Sequence, residues 1–275
     1  MLTQAELPPL DMNGCQHVFV DCGANVGANI VALFSETQPR RKSNLHRAFD
    51  KYFGATLDER RQAVCAIAIE PNVHHAEVLK ALEQRHRMAG FRTFFLPYVA
   101  SSDTSGRKVP FFFDNSRRGR AHKEWGASIY SIGANRGSAN VTRAGDLPPN
   151  ATRLPVPTLD IARLLRDIVL ARKLPTERGN AGGHLKAPER PPAVVVKMDV
   201  EGSEFSLLSR LLFLGVMCQL DYLGVEYHDE KRFLELLNAA GAPKNFARVL
   251  AWMRTNAGPE CNRLELVNLG LRDNA

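Results

Sequence analysis

Residues 18–34 read VFVDCGANVGANIVALF: an apolar run closed by Asp21, a turn carrying Gly23 and Gly27, then a stretch with helical spacing. A short apolar run that feeds a glycine turn and a helix is the opening unit of a parallel sheet, because such a strand is buried on both faces. The unit recurs. Apolar runs at about 64–69 (VCAIAI) and 193–199 (AVVVKMD) also stop at acidic residues and lead into helical periodicity. Further strands are expected at about 17–21, 92–99 and 220–227, and helices at about 25–36, 72–89, 158–172, 203–214 and 229–240. Strands alternating with helices fold as α/β, with a mainly parallel sheet covered on both faces. Two apolar runs between about 246 and 269, FARVLAWM and RLELVNLG, are expected to close the sheet as a β-hairpin.

The chain has 275 residues, which suits one large α/β domain spanning 1–275. Stretches 35–61, 114–153 and 173–192 read as insertions on it: the first basic, the second rich in Gly, Asn and Arg, the third in Pro, Gly and charge. The third has too little apolar content to pack. Lys and Arg exceed Asp and Glu by 36 to 29, a net +7 that favours anionic partners and says nothing of fold. Cys15, Cys22, Cys65, Cys218 and Cys261 contain no C-x-x-C pair, and an odd, unpatterned set argues against a disulfide framework and against zinc. Without a basic-then-apolar leader or ~18 uninterrupted apolar residues, the expectation is a cytoplasmic chain with no membrane contact. The sequons at Asn140 and Asn150 are then incidental.

The first turn lacks both the Gly-x-Gly-x-x-Gly of a dinucleotide loop and the Gly-Lys-Ser/Thr of a P-loop. In open α/β sheets ligands sit beyond the carboxyl ends of the strands. Gly23 and Gly27 free the backbone to turn and a ligand to approach, with helix-opening amides facing it. Asp21 makes the loop acidic, which repels a phosphate and attracts a ligand bearing an ammonium and a ribose. The competing reading is a tight strand–helix turn with a capping Asp. Glu70, at the tip of the second strand, stands where a carboxylate reads ribose hydroxyls. The usual separation is about 20 residues, and stretch 35–61 accounts for the excess. Pro71 stops the strand and Asn72 caps the next helix.

The fourth strand, VVVKMDVEGSEFSLL (194–208), delivers Lys197, Asp199, Glu201 and Glu204 into one short turn, with Lys197 and Asp199 on the same face. Four ionisable groups held this close must pair or bind something. The plainer alternative is a Lys–Asp pair with Ser203 and Glu204 capping the next helix. The fifth strand ends in GVEYHD, placing Glu226 and His228 near the same rim.

Taken in order, VDCGANVG, IEPN, VASSDTSG, VKMDVEGSE and LGVEYH resemble the FkbM family of S-adenosylmethionine-dependent methyltransferases, the fourth element matching K-x-D-x-E-G-x-E most closely. The resemblance covers residues 18 to about 240, interrupted by the insertions. It implies a Rossmann-like class I methyltransferase fold: a mostly parallel seven-stranded sheet, helices on both faces and the last strand antiparallel. By the same resemblance, Asp21, Gly23, Asn25 and Gly27 hold the methionine end of S-adenosyl-L-methionine. Glu70 holds its ribose, Pro71 and Asn72 shape that wall, and Ser101 and Asp103 lie beside the adenine. Lys197, Asp199, Glu201 and Glu204 line the substrate side, with Glu226 and His228 across from them. Stretch 35–61 and GASIYS (126–131) depart from the family pattern, which bears on the acceptor pocket.

The implied reaction is O-methylation of a hydroxyl on a sugar, glycan or natural-product-like small molecule, with Asp199, Glu226 or His228 as the base. A divalent metal on Asp199 and Glu226 is chemically permitted, but no ligand spacing compels it and none is assigned. RNA ribose 2′-O-methylation is the alternative substrate reading. It rests on Lys197 with Asp199, the basic loops and the aromatic–Arg stretch 111–125. A non-catalytic cofactor-binding domain is the alternative of another class. A nicotinamide dehydrogenase is disfavoured by the missing middle glycine. Oligomeric state is not legible.

Overall fold

Val18, Phe19 and Val20 lose all solvent contact in β1 (His17–Cys22), and β2 (Val64–Glu70) and β7 (Ala193–Met198) are likewise buried along their whole length. Near-continuous apolar strands of this kind need cover on both faces. The computed structural model, which describes residues 10–37, 42–113, 127–129, 153–175, 190–228, 261 and 263–269, supplies it. One core layer packs β1, β2 and β7 against Ile161, Leu164, Leu207 and Leu211; the other packs them against Ile30, Leu33, Phe49, Phe53, Leu79 and Leu82.

The helices carrying those residues are α1 (Ala28–Leu33), α2 (Asn44–Phe53), α4 (Ala76–Met88), α5 (Ile161–Leu164, extended by a wider helical turn to Leu170) and α6 (Glu204–Phe213), with α3 (Leu57–Ala63) between α2 and β2. With β3 (Arg92–Pro97), β8 (Tyr222–Val225) and β9 (Glu265–Asn268), the main sheet runs β3-β2-β1-β7-β8-β9 and every neighbouring pair is parallel. The order reverses between β1 and β7. In an α/β sheet of this Rossmann-like type, ligands bind at the carboxyl edge beside such a reversal.

Three expectations change. The last described strand, β9, runs parallel to β8 rather than antiparallel. The chain between them is long enough for the crossover that parallel pairing requires. FARVLAWM and the helix expected at 229–240 lie outside the described residues, as do the sequons and most of 114–153 and 173–192. Stretch 35–61 is not an irregular basic loop. Leu45, Ala48, Phe49 and Phe53 form one apolar stripe of α2, which Ser43 caps, and Thr56 and Glu59 close a capping box on α3. Arg60 is buried beneath them, pairing with Asp50 and donating to the Gly54 and Leu33 carbonyls at 2.7 and 3.1 Å. A second sheet, β4 (Ala100–Ser102), β6 (Arg153–Asp160) and β5 (Lys108–Phe112) in that order, is also not foreseen by the sequence.

The expected absence of disulfides is overturned as well. Cys15 is bonded to Cys65 and Cys218 to Cys261, leaving Cys22 buried and free. Each bond ties the amino ends of two adjacent parallel strands, β1 to β2 and β8 to β9. Partners 50 and 43 residues apart are brought together by sheet order and by no sequence spacing. Bridging a loop of that length restricts the unfolded chain, so Cys15→Ser should lower the free energy of unfolding by roughly 2–4 kcal/mol. Equal urea midpoints for the variant and the oxidised parent would show that the bridge contributes nothing. Among the described residues no helix is long and apolar enough to cross a membrane.

Candidate functional site

The glycine turn after β1 is held by the chain itself. The Gly23 and Ala24 amides both donate to the Ile69 carbonyl at 3.0 Å, the Asn25 amide to Glu70 Oε2 at 2.6 Å, and the Val26 amide to Asn25 Oδ1. These four turn amides are thus taken by acceptors of the chain itself, upstream of the amides that open α1 at Ala28. The two glycines are required for close packing of protein on protein. A Cβ on Gly23 (φ +79°) would lie 1.8 Å from the Asp199 carbonyl oxygen, and one on Gly27 (φ +80°) 2.6 Å from Leu82.

Glu70 is the second fixed point. Its Oε1 accepts from the Asn72 amide at 2.8 Å while Oε2 accepts from Asn25, so one buried carboxylate joins the tip of β2 to the glycine turn. His75 Nδ1 stands 3.7 Å from Oε1. Asn72 caps the short turn Val73–His75, as its position after Pro71 implies. Ser101 is buried in β4 beside the Cys22 thiol, whose pKa burial pushes up to about 12. Asp103 accepts from the Ser102 hydroxyl on the same loop.

The remaining residues converge across β1, β7 and β8. Lys197, opposite Asp21 in the β1–β7 register, is buried with its ammonium 3.3 Å from Asp21 Oδ1 and 3.1 Å from Asp199 Oδ2, and it donates to the Gly23 carbonyl at 2.8 Å. Burial opposes its charge, but Asp21 and Asp199 outweigh burial and raise its pKa. Asp21 is wholly buried and also accepts from Asn29 Nδ2 at 3.2 Å. Asp21 and Lys197 therefore brace the floor of the site, beneath the side chains that face outward.

Those outward groups gather around His228. Its Nδ1 lies 3.0 Å from Glu204 Oε1, and its Nε2 lies 3.4 Å from Glu201, 3.7 Å from Asp199 and 3.9 Å from Glu226. Glu204 is itself buried and accepts from the Val200 and Gly202 amides, so it fixes the turn as well as the ring. Burial works against the imidazolium, but the Glu204 hydrogen bond and the Glu201, Glu204 and Asp199 carboxylates lift the His228 pKa to about 9. Burial, opposed by His228 and assisted by Asp199, raises Glu201 to about 8; Glu226 is raised as well, by burial and Asp199. His228 and Glu201, 3.4 Å apart, therefore titrate as a coupled pair, both shifted upward.

Two contacts are absent from the sequence reading. Asn29 is the second residue of α1, eight positions after Asp21, close enough in sequence for the glycine-turn motif to flag it. Ser128 donates its hydroxyl to the Glu201 carbonyl from a segment bridged to Phe112, far away in sequence. No family model, curated protein or solved structure matches this chain.

Proposed function

We propose that the protein is an S-adenosylmethionine-dependent O-methyltransferase acting on a hydroxyl of a sugar, glycan or natural-product-like small molecule. The observation that carries this reading is the Glu70 clamp: a strand-tip carboxylate tied to the glycine turn, beside an acidic rim at the point where sheet order reverses. The donor set fits such a cofactor. A carboxylate offers about four acceptor sites, and two amides use two of them at Glu70, leaving capacity for ribose hydroxyls. The carboxylates of the opposite rim suit a sulfonium and an ammonium.

When bound, the cofactor supplies the reactive methyl group. The chain's part is to align an acceptor oxygen and take its proton. His228 is placed to orient the neighbouring carboxylates, and Asp199 or Glu226 is placed to receive that proton. Lys197 keeps Asp199 fixed from below rather than touching the acceptor. The two disulfides favour maturation in an oxidising compartment over the cytoplasm.

Calorimetric titration with S-adenosylmethionine and S-adenosylhomocysteine, with NAD as control, tests the reading. We expect micromolar binding of the first two, weakened at least tenfold in Glu70→Ala, and none of NAD. A folded protein that binds neither methionine derivative would refute it.

A further inference from the structure

We propose that Asp199, Glu226 and His228 form a binding site for one divalent metal ion of the Mn²⁺ or Mg²⁺ class. Each offers one ligand atom, and the three atoms lie within 4.8 Å of one another. His228 Nε2 stands 3.7 Å from Asp199 Oδ1 and 3.9 Å from Glu226 Oε1, too far for direct hydrogen bonds. Such separations match ligands around a common centre, since bonds of about 2.0–2.4 Å to one ion place its ligand atoms roughly 3–4.5 Å apart.

The scaffold behind the three is rigid. The Asp199 amide donates to the Cys22 carbonyl at 3.0 Å and the Glu226 amide to the Met198 carbonyl at 2.8 Å, so adjacent strands fix the backbone carrying both carboxylates. The imidazole is oriented through its other nitrogen. Nδ1 meets the buried Glu204 carboxylate, which the Val200 and Gly202 amides hold in turn. A carboxylate behind the ring is the arrangement that aims a histidine at a metal. It leaves Nε2 facing Asp199 and Glu226, with Glu201 Oε1 3.4 Å away as a further oxygen. All three side chains keep partial solvent exposure, which leaves an entry path and room for water ligands. One imidazole and two carboxylates, with no thiolate among them, select a hard to borderline ion. The site shares its residues with the proposed acceptor side of the methyltransferase reading, but its geometry stands on these contacts without that reading.

Titration of Mn²⁺ into the full chain, followed by loss of the free-ion electron paramagnetic resonance signal, tests it. One ion per chain should bind at micromolar to sub-millimolar concentration and be displaced by Mg²⁺. Glu226→Gln and His228→Gln, shown to be folded by circular dichroism, should each weaken uptake by about tenfold or more, while Glu77→Gln on the exposed face of α4 leaves it unchanged. No uptake by the parent at millimolar Mn²⁺, or uptake unaltered in both site variants, overturns the proposal. Cofactor calorimetry on the same samples reports separately on the methyltransferase reading.

Discussion

Lys197→Met should lower the free energy of unfolding by about 3–5 kcal/mol, the range for stripping one partner from a buried ion pair. The substitution removes the ammonium that lies 3.3 Å from Asp21 and 3.1 Å from Asp199, and the donor to the Gly23 carbonyl. Asp199 keeps some access to water, whereas Asp21 has none and would retain, among the described residues, Asn29 alone. Burying a lone carboxylate is the dominant loss, because its desolvation is no longer offset. The double variant Lys197→Met with Asp21→Asn should therefore recover most of the deficit: replacing a whole buried pair by neutral groups of similar size is often close to neutral. Urea denaturation of the parent, the single and the double variant measures both effects. A single-variant loss below about 1 kcal/mol, far under the range for a broken buried pair, would mean that Asp21 does not depend on Lys197. A double variant no better than the single would place the loss in packing.

The same ion pair shows how far the sequence is legible. VVVKMD announces a buried strand, and strand periodicity puts Lys197 and Asp199 on one face. It does not say that β1 is the neighbour, and so it hides the partnership of Lys197 with Asp21. Gly23 tells a similar story. Its positive φ is legible from the turn, but the atom that forbids a side chain there is the carbonyl of Asp199, 176 residues on. Glu70, Asn72 and the acidic turn are legible at the carboxyl edge because strand ends are local features.

The features that the sequence hides are non-local or compensated. Stretch 35–61 reads as a basic loop because its charges dominate the composition, yet the stripe Leu45, Ala48, Phe49 and Phe53 decides its structure. Cys15 and Cys65 become neighbours only through the pairing of β1 with β2. Ser128 reaches Glu201 only through its bridge to Phe112. A parallel β9 requires knowing what crosses between it and β8.

Stability should peak near pH 6 and fall on the alkaline side by roughly 2–4 kcal/mol by pH 9, at about 1.4 kcal/mol per unit of pKa shift. His228 titrates at about 9 when folded and 6.5 otherwise, so its contribution is complete below 6.5 and is lost as pH rises through 9. Glu201 titrates at about 8 against 4.5: the folded chain retains a proton that the unfolded chain has released, and stability declines from 4.5 upward to 8. His17 acts in reverse. Buried and lowered to about 4 by desolvation, with Arg172 and Arg190 adding, it stays neutral when folded, so stability is lost as pH falls from 6.5 toward 4. Between 4.5 and 6.5 the His17 and Glu201 slopes oppose one another, which sets the maximum. Above 6.5 His228 and Glu201 act in the same direction, but they are 3.4 Å apart, Glu201 lifting His228 while His228 opposes the rise of Glu201, so their separate contributions do not add. Urea denaturation at pH 5, 6.5, 8 and 9 should trace this dome. Glu201→Gln should flatten the fall up to pH 8, and His228→Gln the fall from 6.5 to 9. If the parent's stability were level or rising from pH 6.5 to 9, there would be no imidazolium holding the carboxylate rim together, and the charge arrangement assigned to the site would be wrong.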